Sequence, residues 1–338
     1  MKLTTTRSQR TNPNARNYGL RSRNIVVAAK NALKEKFSAK ANGFKTVQSN
    51  TNHFSQFASF VKSNYGVNDM RNITAQHVQA YGDHLSQRID SGSLSAKSAH
   101  DYLSAVNSVI EQARGDNGVR VTASEAGIPN RSDISTVNKA TSTQQHKHVV
   151  ANVNERLSAQ LDTQRELGLR FEEAAKFDAK SALDEANKTQ QVTISDGTKG
   201  GRDRYVPITQ QSQIDAIKGA ADIQQSDRSM IPSNMSYAEY QQQSYRELSQ
   251  HQNYHSHGER HAFAQHVYQN EWAKQSGVPD IKPPVVAGFD HGCRHHQYLA
   301  EKTQMTPNEA KAMDQEVRSI VAEQLGHSRI DITNYYLG

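Results

Sequence analysis

The sequence predicts a mainly α, multidomain chain with one small antiparallel sheet in its second half. Three observations carry that expectation. Apolar residues recur at helical spacing through most of the chain, strand-like alternation is confined to the flanks of one Gly-rich turn, and a polar stretch with no apolar period separates two patterned regions. A length of 338 residues suits about two domains. Hydrophobic residues make up 35% of the chain, so its cores must be modest and its helices amphipathic.

Residues 1–40 hold ten Lys and Arg against one acid, Glu35, in a chain whose net charge is +6. A basic arm of this kind releases counterions from a phosphodiester backbone, which points to DNA contact through Arg7, Arg10, Arg16, Arg21 and Arg23. The same residues also read as a solvated tail. A helical portion with Val26, Val27, Ala29 and Leu33 offers a face for docking on a neighbour.

Residues 41–128 form the first helical module. Phe54, Phe57, Ala58 and Val61 make one stripe, and Thr74 is placed as an N-cap with Ile73 and Val78 as a hydrophobic staple. Val78, Tyr81 and Leu85 continue that helix, and Leu103, Val106 and Ile110 mark another that stops near Gly115. Ser, Thr, Asn and Gln dominate from Ser132 to Gln145, so a linker is expected over 129–148. The second domain, 149–338, opens with a helix in which Val150, Val153, Leu157 and Leu161 share a face. Val192 and Ile194, then Val206 and Ile208, alternate with polar residues around Asp196-Gly197-Thr198-Lys199-Gly200-Gly201, the pattern of a β-hairpin.

Several function classes fall away on composition. No apolar run reaches the roughly 18–20 residues that cross a bilayer, and the Met1–Lys2 start carries no signal-like stretch. The single cysteine, Cys293, excludes a disulfide framework and a paired-cysteine zinc site. A cytoplasmic, nucleoid-associated protein with no membrane partner is expected. The histidines from His251 to His266 and the stretch His291-Gly292-Cys293-Arg294-His295-His296 invite a metal reading. Neither has the His-Glu-x-x-His spacing, so no metal and no other cofactor is expected. The glycines beside Lys199 also lack the spacing of a nucleotide phosphate loop.

Four separated pieces belong together: Gly168-Leu169-Arg170-Phe171-Glu172-Glu173, the hairpin from Thr198 to Ile208, His257-Gly258-Glu259-Arg260-His261, and Leu325-Gly326-His327 with Tyr336 nine residues on. In order and spacing they resemble the tyrosine recombinases, the phage-integrase-like enzymes that cut and rejoin DNA through a phosphotyrosine. The resemblance implies an all-α core-binding (SAM-like) domain over 41–128 and an α+β catalytic domain over 149–338.

By that resemblance Arg170 and Arg260 hold the non-bridging phosphate oxygens, where planar, permanently charged forks suit developing negative charge. Lys199 protonates the leaving 5′ oxygen, and its flanking glycines let the hairpin tip approach the duplex. His257 assists the proton of the tyrosine hydroxyl, His327 donates to a phosphate oxygen, and Tyr336 is the nucleophile. Glu173 orients its neighbours, while Arg202 and Arg204 are expected on DNA. Tyr335 is expected to pack within its own domain.

The resemblance further implies double-stranded DNA as partner, a homotetramer in a synaptic complex, and a DNA-bending accessory protein. The function expected is strand exchange of a mobile element without metal or ATP. A type IB topoisomerase, a telomere resolvase and a catalytically silent DNA-binding regulator share the same scaffold, and a metal-dependent nuclease is a more distant reading. Residues 271–315 are longer than the matching connection in the family, which suggests an insertion. Only two residues follow Tyr336, so the protomer-to-protomer tail exchange of many relatives is expected to be missing or truncated.

Overall fold

The computed structural model describes residues 10, 12, 14–37, 43–198 and 201–338. Packing divides the chain into two compact units between Ser132 and Asp133. Mainly helical structure with one two-stranded antiparallel sheet is what the chain adopts among the described residues. No described helix is long and apolar enough to cross a membrane.

The first unit is built from α1 (Ile25–Phe37), α2 (Gly43–Tyr65), α3 (Ala75–Asp90) and α4 (Ala96–Arg114). The stripes read from the sequence are its core: Phe54, Phe57 and Val61 of α2 meet Val78, Tyr81 and Leu85 of α3 and Leu103, Val106 and Ile110 of α4. The backbone N–H of Thr74 donates to the His77 ring 3.1 Å away, closing the start of α3. Gly115 ends α4 in the left-handed region at φ 85°.

The segment expected as a separate arm is partly built into this unit. Ala28, Ala29, Ala32 and Leu33 of α1 are buried, and α1 packs on α2 and α4. Asn17 accepts from the Met70 backbone at 2.9 Å and donates its own N–H to Asp69 at 3.0 Å, so residues ahead of α1 are fastened too. The boundary lies after residue 132, and residue 40 separates no unit.

The second unit runs through α5 (Thr143–Val150), α6 (Glu155–Leu167), α7 (Phe171–Lys176), α8 (Ala179–Thr189), β1 (Gln191–Ile194), β2 (Arg204–Pro207), α9 (Gln211–Gln224), α10 (Tyr237–Leu248), α11 (His257–Ser276), α12 (Pro284–Ala287), α13 (Cys293–Thr303), α14 (Pro307–Gln324) and α15 (Asn334–Leu337). The hairpin pairs Val192 with Val206 and Ile194 with Arg204. The single helix expected from Val150 to Leu161 is two helices. Asn154 interrupts it by capping α6, its side-chain oxygen accepting from the Leu157 N–H at 2.9 Å. Part of the expected linker is fixed in this unit as well, because Ser135 donates to the Asn334 carbonyl and Thr141 to that of Gly258.

Leu157, Leu161, Leu169, Val192, Val206, Phe263, Trp272, Val317, Val321 and Leu337 share one core. The expected insertion, 271–315, supplies Trp272, α12, α13 and the first turns of α14 to this unit. Gly168 is the pivot between α6 and α7. Its φ is +62°, and an added Cβ would lie 2.3 Å from the Phe263 ring. Gly168→Ala is therefore expected to destabilise the protein by about 1–3 kcal/mol, read as a lower urea midpoint at unchanged slope. An unaltered midpoint would show that the turn does not need glycine.

Candidate active site

The site is assembled around one carboxylate. Gly168 turns the chain out of α6, Leu169 is buried, and Arg170 becomes the N-cap of the short α7. Glu173 then occupies the third position of that helix, and its Oε2 accepts from the Arg170 backbone N–H at 2.8 Å. Its side chain is fully buried. Oε1 accepts from Arg170 Nη1, Oε2 accepts from Arg204 Nη2 at 3.0 Å, and Arg260 Nη1 stands 3.7 Å from Oε2. Burial alone would push the Glu173 carboxyl upward, but Arg204, Arg260 and Arg170 together hold it down at about 2.

Arg260 lies one turn into α11 and has no exposed surface. Its Nη1 donates to the Gly168 carbonyl, its Nη2 to the Leu325 carbonyl, and its Nε to Tyr336 Oη at 3.2 Å. Burial lowers its pKa, and the facing Tyr336 and Glu173 act in the opposite direction. Arg170 keeps 22% of its side chain exposed, which makes it the open guanidinium of the three.

Tyr336 is buried and ringed by imidazoles. The centroid of His261 is 4.7 Å from its ring, and those of His257 and His327 are each 5.9 Å away. Arg260 Nη2 approaches His327 Nε2 at 3.5 Å. His257 has an exposed edge, yet the protein packed around it, then the charges of Arg260, Arg170 and Lys139, bring its pKa down to about 4. His261 is lowered to about 3 by burial and then by His257 and Lys139. Both rings are thus neutral at pH 7 and free of a proton at one nitrogen. Tyr335 is half-buried beside the same histidines, its ring 5.1 Å from that of His261 and 4.7 Å beneath the Lys139 ammonium.

The structure brings Arg170, Glu173, His257, Arg260, His327 and Tyr336 together in one place. Lys199 and Arg7 lie outside the described residues. Arg204 is 97% buried and donates to Glu173 and to the carbonyls of Leu167, Gly168 and Gln324, so it builds the site and presents no surface to DNA. Arg10 is likewise turned inward. It pairs with Glu35 at 2.6 Å and donates to the Ala113 and Gln112 carbonyls at the end of α4. Arg16 donates to Asn68, while Arg21, Arg23 and Arg202 are exposed.

Some contributors were not foreseen. His261 lies four residues from His257 on the same helical face, a spacing visible in the sequence. Lys139 over Tyr335 and Gln265, which donates to the Tyr336 carbonyl at 3.2 Å, come together only through tertiary packing. Arg318 on α14 brackets the tyrosine-bearing segment, donating to Asn334 Oδ1 at 2.9 Å and to the Gly338 carbonyl at 3.1 Å.

A family model described as "Integrase" matches residues 127–266, which include Arg170, Glu173, Lys199, His257 and Arg260. No curated protein matches the sequence. Among solved structures, the chain is similar to the integrase of transposon Tn1549 in complex with transposon right end DNA, at 10% identity and a TM-score of 0.53, over 92% of this chain and 95% of that one. It is also similar to the XerH site-specific recombinase in a post-cleavage complex on palindromic difH substrate, at 14% identity and a TM-score of 0.53, over 93% of this chain and 81% of that one.

The buried carboxylate makes a pH prediction. A carboxyl whose pKa is lower in the folded chain contributes stability above its unfolded value, near 4.3, and loses it as pH falls toward about 2. Urea unfolding at pH 7, 5 and 3 is expected to show a smaller acid loss in Glu173→Gln than in the parent, from a lower starting stability. Parallel pH curves would mean that the carboxylate carries no such linkage.

Proposed function

We propose that the chain is a member of the tyrosine recombinase family, a site-specific DNA recombinase acting in the integration or excision of a mobile element, a reading supported by the integrase family model over residues 127–266 and by the fold it shares with solved recombinases. The observation that carries this reading is the contact of Arg260 Nε with Tyr336 Oη at 3.2 Å, inside a cluster of guanidiniums and neutral imidazoles.

In the first transesterification Tyr336 Oη bonds to the scissile phosphorus, and the 5′ oxygen departs with the electrons of the broken P–O bond. A phenol near pKa 10 attacks poorly at neutral pH, so its proton must go elsewhere. His257, neutral at pH 7, is the acceptor. Arg170, the exposed fork, receives the phosphate oxygens first. Arg260 Nε is freed for them as the phenol moves onto phosphorus, and His327 adds a further donor. Lys199 supplies the proton that the leaving 5′ oxygen needs.

The product is a 3′-phosphotyrosyl link and a free 5′ hydroxyl. A 5′ hydroxyl from a second duplex reverses the step, and the covalent link stores the bond energy, so no ATP is consumed. Exchange between duplexes calls for a synaptic assembly, proposed as a homotetramer on double-stranded DNA with a bending protein as accessory. Exposed Arg21, Arg23 and Arg202 are offered as phosphate contacts.

Two outcomes test the reading. On a nicked suicide substrate carrying the element's junction, Tyr336→Phe should bind DNA and form no covalent adduct, whereas Tyr335→Phe should form one. Lys199→Ala should slow cleavage of ordinary DNA by about 100-fold or more and recover on a substrate with sulfur at the 5′ bridging position, a leaving group that needs no proton. An adduct in Tyr336→Phe, or equal impairment of Lys199→Ala on both substrates, contradicts the assigned roles.

A further inference from the structure

We infer that His291, His296 and Asp314 form a binding site for a divalent transition metal of the zinc class. The ligand atoms of the three residues all lie within 4.8 Å of one another. His291 Nε2 is 3.5 Å and His296 Nε2 3.8 Å from the same oxygen, Asp314 Oδ2. The two rings are nearly perpendicular, at 84°, with centroids 5.7 Å apart, so their nitrogens approach the carboxylate from different directions.

Around a tetrahedral ion with bonds of about 2.0–2.2 Å, neighbouring ligand atoms sit roughly 3.3–3.6 Å apart. The two nitrogen-to-oxygen spacings, 3.5 and 3.8 Å, already lie at or near this range, and the spacing between the two imidazoles, within 4.8 Å, has to close by side-chain rotation at the Gly292 turn. Two imidazoles and one carboxylate are borderline-soft N/O donors that suit zinc and its neighbours, not magnesium or calcium.

The carboxylate is already oriented. Asp314 is buried, its Oδ1 accepts from the Tyr268 hydroxyl, and its Oδ2 accepts from Arg318 Nε at 2.8 Å, the kind of outer support that fixes a metal-binding carboxylate. Arg318 and Lys311 add positive charge nearby, which makes this a site of modest affinity that a chelator strips.

The site gives residues 271–315 a purpose. It would pin the turn before α13, and α13 itself, to α14, whose Arg318 also holds Asn334 and Gly338 on either side of Tyr336. It is independent of the DNA chemistry, and its test uses no DNA.

Full-length protein, freed of any affinity tag and stripped with chelator, is loaded with zinc chloride, dialysed against metal-free buffer and assayed by mass spectrometry of the metal. The parent should retain a single zinc per chain and unfold at a higher temperature than the stripped form. His291→Ala and His296→Ala should each weaken retention by at least about 10-fold, while a His251→Ala/His255→Ala double variant keeps it. Cobalt(II) added to the parent gives a second readout that does not depend on the variants folding. A visible spectrum of tetrahedral cobalt is expected. Zinc lost from the parent on dialysis, a cobalt spectrum unchanged from the aquo ion, or equal retention in the His291 and His296 variants would each overturn the site.

Discussion

The buried carboxylate of Glu173 is the constraint on which the site depends. Arg204 and Arg260 are almost wholly removed from water, and each such ion costs several kcal/mol unless it is paired. Glu173 supplies that counter-charge at one point, and Arg170 joins from the same turn. Three elements distant in sequence, α7, β2 and α11, are thereby drawn to one place. The carbonyls of Gly168, Leu325 and Gln324 accept from the same guanidiniums, so the cations also stitch the ends of α6 and α14 together.

The same economy gives Arg170 and Arg260 different characters. Arg260 is a rigid donor locked by carbonyls, with only its Nε turned to Tyr336, whereas Arg170 is partly open to a ligand arriving from solvent. A preorganised donor gains most where charge develops in a reaction, since it does not have to reorient. The phenol oxygen rests on one such donor, with two neutral imidazoles beside it.

Much of this was legible in the sequence, and the rest was hidden for identifiable reasons. Phe54, Phe57 and Val61 announced α2 because large apolar residues repeat at helical spacing. Helix α1 packs through Ala28, Ala29 and Ala32, a face of small residues that the surrounding lysines obscure. Arg204 was placed on DNA for its charge, although the strand alternation that buries Val206 buries Arg204 as well. The motif spacing singled out Arg170, Glu173, Arg260 and Tyr336, and the fold brings these side chains together. The roles of Lys139, Gln265, Asp314 and Arg318 depend on contacts between segments far apart in the chain, and no local pattern encodes those.

If Glu173 acts by holding guanidiniums in place, its effect and that of Arg170 must not be independent. The most direct test is a double-mutant cycle on the single-turnover rate of covalent complex formation, with Glu173→Gln, Arg170→Ala and the pair, each confirmed as folded. The account predicts strong non-additivity, with the double variant about as slow as the slower single one. Losses that simply multiply would contradict it, because they would make the carboxylate and the arginine separate contributors.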